Sequence, residues 1–243
     1  MKRSEANANV GVLPARRLKA RTTLGLMLVF LASGFAALLY QVVWQRSLFA
    51  IYGINIESVT VVVTAFMLGL GFGSLVGGAV SKDPKRPALL YFGLVELSIG
   101  AFGLLSLDLF HWVGALTLDL PPVATALVTL LLVLVPTMLM GGTLPLLVAY
   151  SVRKSGNVGK SVGQLYFVNT LGSAIASVLS VMVMMGPLGE HRTVLAAAAI
   201  NGIVGLAVLA LYAIERSNEK KRASEPPHAV APATSTPRLE EAP

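Results

Sequence analysis

The chain has 243 residues, of which 55% are hydrophobic and only 13% charged, with a mean hydropathy of +0.73; an ordinary soluble domain carries roughly 25% charged residues. That composition reads as an integral membrane protein. Cysteine is absent, which excludes disulfides, thiolate metal sites and cysteine nucleophiles together. His111, His191 and His228 are widely separated and lack metal-ligand spacing, so no metal or other cofactor is expected.

A helix needs about 20 mainly apolar residues to cross a bilayer. Six stretches qualify, at 23–45, 57–80, 88–107, 122–151, 161–186 and 192–214. They predict an all-α polytopic bundle over 23–215, flanked by a basic tail at 1–22 and a Pro- and Ala-rich, disordered tail at 216–243. The first span follows "RRLKAR" and is too long for a cleaved signal peptide, which reads as an uncleaved signal anchor. At its far end "LLYQVVWQR" brings Tyr40, Gln41, Trp44, Gln45 and Arg46, with Glu57 as the expected partner of Arg46 across the short loop. That segment also reads as an interfacial aromatic-and-arginine anchor.

The net charge of +7 and the pI near 9.9 would suit nucleic acid if the basic residues formed a stripe on a soluble face. They do not. With six spans, seventeen of the nineteen Lys and Arg residues fall in the two tails and the loops "SKDPKRP" and "RKSGNVGK", all on one side, leaving Arg46 and Arg192 on the other. The positive-inside rule then places both termini in the cytoplasm, with the lipid bilayer rather than nucleic acid as partner. The loop around "DLFHWVGALTLDLPP" has no Lys or Arg, as an outer loop should, and Trp112 is expected at headgroup level.

The second span contains "FMLGLGFGSLVGG", in which Gly69, Gly73 and Gly77 fall on one face suited to close helix contact. "GLGFGS" is no nucleotide loop, because no strand precedes it and it lies within an apolar span. The fifth span contains "YFVNTLGSAIASVLS", which also pairs an aromatic start with a small-residue stripe. Each comes second in a set of three, the pattern of a three-plus-three repeat; small residues are also common wherever helices pack in lipid.

The third span carries a glutamate, Glu96, which shares a face with Gly100 and Gly103 and should therefore point at a neighbouring helix. Asn169 aligns with Ser173, Ala176 and Ser180, and Asn201 with Ala197 and Gly205. All three fall at middle depth. An intramembrane ionisable group is a functional candidate, or else a hydrogen-bonding lock of the bundle. The candidate substrate-binding polar centre is Glu96, Asn169, Asn201, Thr143, Tyr40 and Gln41. "VPTMLMGGTLPLL" in the fourth span has Pro136 and Pro145 around Gly141 and Gly142, which predicts an interrupted helix of the kind that lines transporter sites.

"SGFAALLYQVVWQR", "AFMLGLGFGSLVGG", "RPALLYFGLVELSIGAFGLLS", "PTMLMGGTLPLLV" and "GQLYFVNTLGSAIASVL" together resemble the membrane domain of the spermidine synthase-like integral membrane proteins. In that bacterial group a half-transporter-like bundle is often fused to an aminopropyltransferase domain. The resemblance covers about 24 to 214. "GSLVGGAVSKDPKRP" is more loosely similar to the loop motif after the second helix of major facilitator transporters. Two departures matter: Gln41 stands where the family often has a glutamate, and a disordered tail stands where the synthase domain would begin. The resemblance implies a membrane module that anchors or supplies a separate synthase-like enzyme and does not itself transfer aminopropyl groups. A homodimeric transporter of a polyamine-like or other small solute is the alternative. A membrane-embedded enzyme using Glu96 has least support, since one carboxylate is not a catalytic constellation.

Overall fold

The computed structural model describes residues 2–53 and 56–224. Its elements are α1 (Lys2–Tyr52), α2 (Ile56–Ser81), α3 (Ala88–Thr117), α4 (Pro122–Ser155), α5 (Val158–Leu179), a π-helical segment (Ser180–Leu188) and α6 (Gly189–Ser224). All six α-helices contain a stretch long and apolar enough to span a membrane, and the described residues include no strand. The protein is thus an all-α, multi-pass membrane bundle. Side chains such as Phe72, Leu75, Phe167, Ile203 and Leu206 face outward, as a lipid solvent requires.

Helix ends follow local chemistry. Gly156 takes a left-handed conformation (φ 72°) and donates its N–H to the Val152 carbonyl, closing α4. Asn157 then caps α5 by accepting the Lys160 N–H at 2.8 Å, so α5 starts ahead of the predicted boundary at 161. α6 runs on to Ser224, past the expected tail boundary at 215, while residues 225–243 lie outside the described residues.

Two expectations change. α4 is one unbroken helix through Pro136 and Pro145. The prolines leave the carbonyls of Leu132 and Gly141 without their helical donors, and the nearby hydroxyls bond adjacent carbonyls instead, Thr137 those of Val133 and Leu134 and Thr143 that of Met140. The irregular backbone lies instead after α5, where the chain widens into the π-helical segment around Pro187 and ends at Gly189, φ 74°. Arg46 pairs with Glu190 at 3.0 Å, joining the far ends of α1 and α6; the side chain of its expected partner Glu57 lies outside the described residues.

Packing pairs the two halves of the chain. α2 lies along α4, α1 along α5 and α3 along α6. Gly73 backs onto Met138, where an added Cβ would sit 2.7 Å from the carbonyl carbon, and Gly172 backs in the same way onto Leu31, at 2.9 Å. Three residues on in α1 and α4, and three back in α5 and α2, Gly34 meets the Asn169 carbonyl carbon (3.0 Å) as Gly141 meets that of Leu70 (2.9 Å). α3 and α6 face each other reciprocally and antiparallel, Gly93 against Leu209 and Gly205 against Leu97. The spans of α1, α2 and α3 therefore correspond in register to those of α4, α5 and α6. Because α1 and α4 cross in opposite directions, the repeat is inverted, with its pseudo-two-fold axis in the membrane plane.

At the basic end, Arg153 of α4 donates to the carbonyls of Ser81 (2.8 Å), Asp83 (2.9 Å) and Arg86 (3.0 Å), holding the α2–α3 loop. Glu215 of α6 accepts from Tyr150 at 2.7 Å and pairs with Lys154. At the other end Tyr52 and Thr117 share a hydrogen bond of 3.1 Å.

Candidate functional site

α1 and α3 run side by side in parallel, and their facing residues form a column through the bundle. Ser33 lies against Glu96, Tyr40 across Gly103, Trp44 against Ser106 and Ile51 against Gly114. The glycines are needed because a side chain at 103 would occupy the volume of the Tyr40 ring. Trp44 donates its indole N–H to Ser106 Oγ at 2.9 Å and stacks on Tyr40, with ring centroids 4.9 Å apart.

Glu96 is the one acidic member of the column and has no solvent exposure. Ser33 donates its hydroxyl to Oε1 at 2.5 Å, and Asn201 of α6 donates its amide to Oε2 at 2.7 Å. Three helices therefore meet at one carboxyl group. α6 approaches this closely because Gly100 leaves room beside Ala198 and Asn201. Interhelical hydrogen bonds in membranes are worth about 0.5–2 kcal/mol each. Three buried side-chain polar atoms are without a hydrogen-bond partner among the described residues, the Tyr40 and Ser47 hydroxyls of α1 and Asn201 Oδ1.

Of the predicted centre, Glu96 and Asn201 are joined directly, and Tyr40 lies in the same α1–α3 column. Asn169 is half-buried and sits over Gly34 of α1, beside Ser173, which donates to the Gly34 carbonyl at 3.0 Å. Thr143 turns back to its own helix, and Gln41 is half-buried on α1 with no hydrogen bond to Glu96. Ser33 was not predicted. Its signal was available: Ser33, Tyr40 and Trp44 share one helical face, and a serine on that face is a natural donor to a neighbouring carboxylate.

The repeat supplies an internal comparison. Glu96 follows Gly93 as Val208 follows Gly205, and Asn201 precedes Gly205 as Leu89 precedes Gly93. Val208 and Leu89 are both buried in an apolar cluster with Phe30 and Phe92. The same packing niche is thus filled by hydrocarbon in one copy and by a carboxyl–amide pair in the other. Helix packing alone does not demand the polar version.

No group of three or more His, Asp or Glu residues among those described could hold a metal ion. Compared with protein families, with curated proteins and with solved structures, the chain finds no match.

Proposed function

We propose that this chain is a membrane module of the spermidine synthase-like type, non-catalytic by itself, which anchors or supplies substrate to a separate synthase-like enzyme. The family part of this reading rests on the resemblance of its motifs, and the observation that carries the non-catalytic part is the Glu96 centre. Its carboxyl group is sealed from solvent and engaged at both oxygens by structural donors on α1 and α6, whereas a catalytic acid needs a nucleophile or base partner and room for a reacting atom. Purified protein given decarboxylated S-adenosylmethionine and putrescine is expected to make no spermidine; turnover above a mock preparation would sink the proposal. Deleting the gene should shift synthase-like activity from the membrane fraction to the soluble one, or lower its cellular product.

The second reading, transport of a polyamine-like or other small solute by a homodimer, is favoured by the inverted repeat, by the unused Asn201 carbonyl beside Glu96 and by the unused Tyr40 hydroxyl two turns along, over Gly103. Transporters place coupling groups near the midplane of such repeats. Uptake of labelled putrescine into proteoliposomes, abolished by Glu96→Gln in a folded protein, would favour it.

The module belongs, in this proposal, to a bacterial inner membrane with both termini in the cytoplasm. The resemblance to a bacterial group supports the membrane, and the seventeen basic residues that six spans gather on one side support the orientation. Reporter fusions after Lys82, Lys154 and Arg222 are all expected to report cytoplasm. A periplasmic signal at any of the three breaks this orientation.

A further inference from the structure

Between the basic ends of α1, α4 and α5 lies a crevice of about 520 Å³. Its mouth is polar, with Lys154, Lys160, Ser155 and Gln164; its floor is apolar, with Leu26, Met27 and Leu165. Depth is informative. The apolar stretch of α1 begins at Thr23, Lys154 lies in the last turn of α4, and Lys160 lies in the first turn of α5, so the mouth sits where hydrocarbon gives way to water. Phospholipid phosphates occupy that level.

The inverted repeat again provides the comparison. A crevice of about 380 Å³ opens at the opposite end between α1, α2 and α4, lined by Leu48, Val61 and Val62 and by the hydroxyl-bearing Tyr52, Thr117, Thr125 and Thr129, with no Lys or Arg among the described residues. Counted from Gly34 and Gly141, Leu48 is the counterpart of Ser155; counted from Gly73 and Gly172, Val61 and Val62 are the counterparts of Lys160 and Ser161. The fold makes both crevices and hydroxyl groups line each, but only the one at the basic end has cationic side chains. Lys154 is shared with Glu215, while Lys160 has no acidic partner among the described residues.

We propose that the crevice at the basic end binds an anionic phospholipid, its phosphate at Lys160 and Lys154 and an acyl chain along Leu26, Met27 and Leu165. Phosphate is the shared chemistry of a lipid headgroup and a soluble phosphate ester; the apolar floor and the depth of the mouth favour the lipid. A basic pocket between helices at a membrane surface is the usual form of such a site.

The test is native mass spectrometry of the detergent-purified full chain titrated with phosphatidylglycerol, with glycerol 3-phosphate and inorganic phosphate as soluble probes. Saturable retention of phosphatidylglycerol is expected, weakened about fivefold by Lys160→Gln and restored by Lys160→Arg, as the loss and return of one surface cation predict. The soluble probes should neither be retained nor displace the lipid. Equal retention by wild type and Lys160→Gln overturns the proposal, and so does displacement by millimolar glycerol 3-phosphate, which would mark a soluble phosphate site instead. Lys160 is exposed and far from the Glu96 centre, so the outcome is independent of the function proposed above.

Discussion

Glu96→Leu should be the most damaging single change in the bundle, and Glu96→Gln nearly silent for stability. The leucine leaves the Ser33 hydroxyl and the Asn201 amide buried without their acceptor, at about 1–3 kcal/mol for each unsatisfied group. Glutamine keeps a carbonyl for Ser33. Its amide can donate to Asn201 Oδ1, which has no partner now, once the Asn201 amide turns over. The thermal midpoint of purified protein should therefore fall clearly for the leucine variant and stay near wild type for the glutamine variant. A third variant follows from the repeat: Glu96→Val with Asn201→Leu copies the Val208–Leu89 pair and should recover about half of the stability lost by Glu96→Leu, the share due to the orphaned Asn201 amide, while the Ser33 hydroxyl still lacks its acceptor. If that double variant is as unstable as Glu96→Leu, the two niches are not equivalent. If it is stable yet fails in the cell, the carboxyl group is kept for function.

Gly73→Ala should cost about 1–3 kcal/mol, the range for overfilling a close-packed contact. The added methyl would meet backbone, with the Met138 carbonyl carbon at 2.7 Å and its Cα at 2.9 Å, and backbone cannot rotate away as a side chain can. α2 and α4 would have to separate along their whole seam. Gly78→Ala is the control, since nothing lies within 4 Å of its added Cβ. There the better helix propensity of alanine should leave stability unchanged or slightly raised. Equal losses at 73 and 78, measured by thermal melting in detergent, would mean that the seam is looser than its geometry indicates.

The spans were legible because hydrocarbon selects long apolar runs, and Glu96 with Asn201 because a polar group at mid-depth must face protein. The small-residue stripes of α2 and α5 pointed to the repeat, but register could not be read from them: it is set by which carbonyl each glycine meets across the chain, as Gly73 meets Met138. The proline pair misled for a related reason. A proline in lipid announces a lost hydrogen bond, but whether the helix breaks depends on nearby hydroxyls such as Thr137 and on the pressure of a neighbouring helix. Asn169 shared the right depth but faces Gly34 rather than Glu96, a matter of helix rotation that depth does not fix.

The pairing of α1 with α5, α2 with α4 and α3 with α6 has a consequence for biosynthesis. Each of the first three helices leaves the ribosome before its main partner exists, so a nascent chain halted in the α3–α4 loop presents bare glycine stripes to lipid. Arrival of α4 covers α2, α5 then covers α1, and α6 closes last, bringing Asn201 to a carboxyl group that until then has only Ser33. Glu96 thus lacks its second donor until the final helix is inserted, which ties completion of its hydrogen bonds to completion of the chain.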